Sequence, residues 1–148
     1  MKLQEIQPNL SEVVQSCELF AAVQDLIFAD DGLQDPGMEA ALKDKGLAIL
    51  VMAPQGTGMT DKARGCVVVD YSTTVWIRTN PKARSVAHPV AWNPLLCESA
   101  ILAAVMHWSK LRNDLGFHLT PDLPPETDWT DVGNNSRLIR STTRVQFN

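Results

Sequence analysis

The run from Cys66 to Arg78, CVVVDYSTTVWIR, limits what this chain can fold into more than any other stretch. Val67, Val69, Tyr71, Thr73, Val75 and Ile77 fall on one side of an extended backbone, and Val68, Asp70, Ser72, Thr74, Trp76 and Arg78 fall on the other. Successive side chains of a strand point to opposite faces, so the alternation reads as a strand of a sheet covered on one side. At about 3.3 Å per residue the stretch from Val67 to Arg78 spans about 40 Å, close to the whole diameter of a domain whose radius of gyration is about 15 Å. A strand this long either bends or projects.

The chain closes on a second such run, SRLIRSTTRVQFN, in which Ile139, Val145 and Phe147 share a face across a Ser-Thr centre and Arg140 and Arg144 lie on the other. The triplet Ser-Thr-Thr occurs in both runs, but nothing around it matches, so it is read as coincidence rather than a repeat. If the two strands are antiparallel neighbours, Thr pairs cross at the centre and Asp70 meets Arg140 or Arg144, at roughly 0.2–1 kcal/mol per pair.

Around these strands the period changes to that of helices. Asn9 with Glu12 makes a capping-box start, and Val13, Val14, Cys17, Phe20, Ala21, Gln24, Ile27 and Phe28 continue a helical stripe, predicting one helix to about residue 29. Asp35-Pro36 opens a short second helix that Gly46 closes, and LAILVMA follows as a buried strand. Asn93-Pro94 caps a long helix, PLLCESAILAAVMHWSKLR, with Leu95, Ile101, Leu102, Val105, Trp108 and Leu111 as its buried stripe. Residues 54–64, 79–92 and 113–134 are expected to be long loops, the last of them proline-rich and acidic. The expected fold is α+β: one domain over 1–148, with a small, mostly antiparallel sheet of long strands packed on one face by two main helices.

Of the 148 residues 45% are hydrophobic and 20% charged, typical of a globular chain with an ordinary core. The net charge of −4, with Lys and Arg dispersed, lacks the footprint of a protein that grips phosphate backbones. Cys17, Cys66 and Cys97 form no CxxC pair and read as reduced, packed thiols. No apolar run reaches the ~20 residues of a membrane span, and the amino terminus has no signal-like segment, so a cytoplasmic site of synthesis is expected.

The stretch APQGTGMT, residues 53–60, imitates a nucleotide-binding phosphate loop. Such a loop needs a Lys on the phosphates, where this chain has Met59, and a helix starting at the loop, where TDKARG leaves one turn at most. A hairpin loop is therefore the preferred reading, with no cofactor. Cys97 with His88 or His107 is the one local arrangement for a cysteine nucleophile, and no nucleophile signature surrounds it. His88, His107 and His118 lack metal-ligand spacing, and Asp30-Asp31 lacks the later acidic positions of a calcium loop. No catalytic residue and no metal site are assigned. What a core does not explain is Trp76 on the polar strand face, Trp92 in a proline-rich arm and Trp129 in an acidic loop, the kind of aromatic anchors enriched at interfaces.

In the order helix, LAILVMA, long loop, CVVVDYSTTVWIR, NPLLCESAILAAVMHW, RLIRSTTRVQFN, the chain resembles the tail terminator, or tail tube completion, proteins of long-tailed bacteriophages. The resemblance implies a non-enzymatic virion subunit, assembled in the host cytoplasm, that forms a hexameric ring. Such a ring ends the tail tube, meets the tube protein on one side and the head or neck connector on the other, and lets DNA pass without specific binding. On that reading Trp76, Arg78, Lys82, Arg84 and Trp92 carry subunit contacts, and Gln55, Gly56, Thr57, Gly58, Met59 and Thr60 dock the tube or neck. The short helix at 36–44 and the acidic loop at 120–135 depart from the pattern. They leave a neighbouring neck or head-completion protein open, and a small enzyme or an adaptor module are the alternatives from other classes.

Overall fold

The structure is a computed structural model that describes residues 2–30, 36–63, 66–83, 91–111 and 119–147. Among these residues the fold is α+β. Helices α1 (Ile6–Gln15), α2 (Pro36–Lys45) and α3 (Pro94–Leu111) accompany strands β1 (Ile27–Asp30), β2 (Leu47–Met52), β3 (Gln55–Ala63), β4 (Cys66–Thr79), β5 (Thr120–Pro121), β6 (Glu126–Thr127) and β7 (Asn135–Phe147). The strands form one mixed sheet in the order β1-β2-β4-β7-β5, with β3 beside β4 and β6 beside β7.

The two long strands pair antiparallel along their whole length, from Val67 opposite Phe147 to Thr79 opposite Asn135. Thr73 faces Ser141 at the centre, and Arg144 Nε donates to Asp70 at 2.9 Å, one of the two pairings the sequence anticipates. Alternation then decides the layers. Val75, Ile77 and Ile139 look into a core filled by Leu10, Val13 and Val14 of α1 and by Cys97, Ile101 and Val105 of α3. This is the expected face with its two main helices.

The opposite face is covered as well, at one end. Met38 and Leu42 of α2 pack on Ala48 and Leu50 of β2, with Phe28, Met52 and Trp76 at the margin. LAILVMA lacks alternation because β2 is buried on both sides: Leu47, Ile49 and Val51 enter the first core, Ala48 and Leu50 the second. The short helix, expected from its sequence but a departure from the tail-terminator pattern, therefore supplies a third layer.

Two elements differ from expectation. The first helix begins at Ile6, ahead of Asn9, and ends at Gln15. Pro8 is tolerated because the first turn has no intrahelical use for its missing N–H. After Cys17 the chain turns through short 3-10 segments at Glu18–Phe20 and Gln24–Leu26. Gln24 Nε2 donates back to Gln15 O at 3.1 Å and Phe20 O at 2.8 Å, occupying carbonyls that a continuing helix would have used. Phe20 still reaches the core, but Ile27 and Phe28 lie in β1, parallel to β2 opposite Ile49 and Leu50. Second, most of the expected loop at 54–64 is strand β3, antiparallel to β4 from Gln55–Ser72 to Ala63–Cys66. β4 outruns β2, and its spare edge recruits a segment with no apolar alternation, at the cost of irregularities at Gly56/Gly58 and Met59/Asp61.

The acidic loop is held against β7 rather than free. Beyond the β5 and β6 pairings, Asp122 N donates to Arg140 O at 2.8 Å and Asp128 N to Ser136 O at 2.9 Å. The arm from 79 begins as the last residue of β4 and a turn through Asn80, and residues 84–90 lie outside the described part. No helix among the described residues is long and apolar enough to cross a membrane.

Candidate binding surfaces

A groove of about 530 Å³ lies on the sheet face opposite α1 and α3. Its floor is Ser72, Thr74 and Trp76 of β4 with Leu138 and Arg140 of β7, all on the polar side of the alternation. Gln55, Gly56 and Thr57 of β3 form one bank, and Asp128 and Thr130 of the acidic loop form the other. Arg140 lies 3.4 Å from Glu126, and the Asp128 carboxylate accepts from the amide and hydroxyl of Thr130. On the rim, between Asp128 and Thr130, Trp129 is 87% exposed, and nearby in sequence Val132 is 91% exposed.

The loop forming that bank is fixed by Arg78. Its guanidinium lies over the Trp76 ring at 4.4 Å, donates to both oxygens of Asp131 at 2.8 and 2.9 Å, and bonds Glu39 of α2. Ser136 and Asn134 also donate to Asp131. Burial would lower the Arg78 pKa, but the bonds to Asp131 and Glu39 outweigh it and hold the pKa above its ordinary value. Burial likewise pushes Asp131 up, but the bonds from Arg78, Ser136 and Asn134 and the Arg78 charge win, so its carboxyl lies below the ordinary 3.8. With the folded pKa depressed, Asp131 contributes stability in full above the unfolded value and loses it as pH falls through the folded one. Stability should therefore decline below about pH 4. Asp131→Asn should be less stable at neutral pH and show a flatter loss between pH 4 and 2, which denaturant melts across that range will measure.

Trp76 and Arg78, expected at a subunit contact, are joined to each other and to α2 and the acidic loop within this chain. Trp92 packs on the main core, its ring 6.4 Å from that of Phe20. Lys82 is exposed in the turn after β4, and Arg84 lies outside the described residues. Gln55, Gly56, Thr57 and Gly58 are exposed on β3, and Met59 and Thr60 continue it, with no described strand on the outer edge. From Gln55 this stretch is laid out as a strand against β4 and does not lead into a helix.

Cys97, the nucleophile considered in the sequence, is fully buried on α3, and burial pushes its thiol up to about 12. Cys17 is shifted the same way by burial. Thiolate is the reactive form, so neither should be alkylated by iodoacetamide at pH 8 in the native state. Peptide mapping should find both modified only after denaturation.

A second exposed apolar surface lies on α3. Asn93 caps this helix, its Oδ1 accepting from the amides of Leu95 and Leu96 at 2.9 and 3.3 Å. Cys97, Ile101 and Val105 face inward, which turns Leu95 (56% exposed), Leu96 (54%) and Met106 (52%) outward. Leu95, expected in the buried stripe, is thereby reassigned to the surface, since the inward stripe is centred on Cys97. Glu98 is turned in and bound by Arg137 Nε at 2.8 Å. From Pro94 to Trp108 the exposed side of α3 carries no Lys, Arg, Asp or Glu.

Sequence reasoning gave this helix a buried stripe but placed Leu95 in it, because Leu, Ala and Met recur on the outer side as well and weaken the periodic signal. It missed Leu138 and Arg140 as groove residues for want of a register. Neither protein-family models nor curated proteins gave a match to this chain.

Proposed function

We propose that this chain is a ring-forming structural subunit at the head-proximal end of a long-tailed phage tail, a tail-tube terminator or the adjacent neck protein. The observation that carries the reading is the placement of large exposed apolar side chains on both sides of one small subunit: Leu95, Leu96 and Met106 over one sheet face, Trp129 and Val132 beside the other. Scattered single apolar residues are ordinary on a surface, whereas grouped ones rimmed by polar residues mark association. The long-stranded sheet with two helices on one face agrees with the architecture of the family it resembles.

In this reading the open edge of β3, which includes the Gln55–Thr60 stretch, meets the tube protein or connector. Its irregularities and glycines keep it from pairing indiscriminately. Subunit contacts move from Trp76 and Arg78 to α3 and the groove rim. Light scattering on the purified chain, alone and with tube protein, tests the proposal. A discrete ring, or arrest of tube growth at fixed length, supports it; a strict monomer that leaves tube growth unchanged refutes it.

A further inference from the structure

We infer that two copies of this chain pair through the outer side of α3, antiparallel and across a two-fold axis at the level of Ile101. The pairing does not rest on the ring reading. Leu96, Ser99, Ala103 and Met106 are all exposed and stand three, four and three residues apart. At 3.6 residues per turn they fall within about 80° of the helix circumference, on the side opposite the fully buried Ile101. Alternating steps of three and four are the spacing of a seam between two helices, and this seam lies on the side of α3 that the core of its own chain does not use.

The same four positions single out a second copy as the partner. Antiparallel pairing about Ile101 sets Leu96 against Met106 of the other copy at both ends, and Ser99 against Ala103 of the other copy in the middle. Packed helices cross, so their axes are nearest at the midpoint and separate toward the ends. Small side chains in the middle permit the close approach, and the longer Leu96 and Met106, 54% and 52% exposed, fill the widening gaps. The antiparallel sense also places each helix's amino end beside the other's carboxyl end, the favourable arrangement of their dipoles. A self-paired seam has to avoid like charges facing each other. From Pro94 to Trp108 the exposed side of α3 carries none, and Glu98 is turned in to Arg137 at 2.8 Å. Lys110 comes one turn past Met106, level with residue 92 of the other copy and so ahead of that copy's helix, which starts at Pro94. The seam is about 15 Å long and a helix about 10 Å wide, well below the ~800 Å² per partner of a standard interface. The dimer is therefore weak and depends on concentration. A ring with unlike sides has no two-fold axis in its plane, so this dimer is a form of the free chain.

Cysteines read the register directly. With Cys66 changed to Ser throughout, and Cys17 and Cys97 buried, the double variant Leu96→Cys with Met106→Cys should form a covalent dimer on mild oxidation with diamide. It should do so about ten-fold faster or more than Glu12→Cys, an exposed site on α1 that reports random collision. The two new thiols lie about 15 Å apart on one helix and cannot join within a chain. Leu96→Cys alone should crosslink no faster than the collision control, and mixing it with Met106→Cys should restore the fast reaction. Adding Ser99→Glu to the double variant should return it to the control rate, with far-UV circular dichroism and thermal melting unchanged. Fast crosslinking of Leu96→Cys alone, a double variant no faster than the control, or a fast rate that survives Ser99→Glu each overturns the pairing. The ring reading is decided apart from this, by whether the parent chain forms a ring or arrests tube growth.

Discussion

Replacing Arg78 with methionine should destabilise the fold by about 3–5 kcal/mol, the cost of removing one partner from a buried ion pair. Arg78 and Asp131 have side chains only 6% and 7% exposed, so the charge left behind on Asp131 has little water to turn to. Glu39 is half exposed and regains solvent cheaply, so Glu39→Gln should cost no more than about 1 kcal/mol. The double change Arg78→Met with Asp131→Leu should recover much of the loss, because apolar replacement of both buried partners is often close to neutral. Urea denaturation of the three variants decides the matter. A cost below 1 kcal/mol for the Arg78 substitution would mean that the acidic loop and α2 are held by their apolar contacts alone.

This network also shows where sequence legibility stops. The alternation of β4 placed Arg78 beside Trp76 on the polar face, and that is where both lie. What the alternation could not supply was the partners, since Glu39 and Asp131 are 39 and 53 residues away, on a short helix and an acidic loop whose positions against the sheet no local pattern gives. An arginine on a polar strand face then looks solvent-directed. Likewise a meeting of Asp70 with Arg140 or Arg144 followed once β4 and β7 were taken as neighbours, and the register of the sheet selects Arg144.

The failures have a common physical origin in tertiary contacts overriding local pattern. β3 has the composition of a loop, and it is a strand because the unpaired edge of β4 offers hydrogen bonds that it would otherwise lack. The groove exists only where β3, β4, β7 and the acidic loop converge, so no window of sequence contains it. The outer face of α3 was hidden by too much apolar signal, and the inward side was settled by which residues meet β4 and β7.

Phe20→Ala should cost about 3–5 kcal/mol, comparable to the loss of Arg78 but by a different route. Phe20 is fully buried at the point where the predicted long helix is broken into 3-10 turns. Its amide donates to Cys17 O at 3.0 Å, and its carbonyl accepts from Val23 N at 3.0 Å as well as from Gln24. The side chain is thus the apolar anchor of an irregular segment whose backbone bonds bend around it, and truncation leaves a cavity that the turns on both sides cannot fill without giving up those bonds. Against a total stability of roughly 5–15 kcal/mol, the variant should stand near the edge of folding at 37 °C. Phe20→Leu, which keeps most of the volume, should lose much less. Trp92 packs on the Phe20 ring, so its emission should shift to longer wavelength in Phe20→Ala below the global transition. An unchanged spectrum with a cost under 1 kcal/mol would show that the segment from Cys17 to Leu26 is held by its backbone alone.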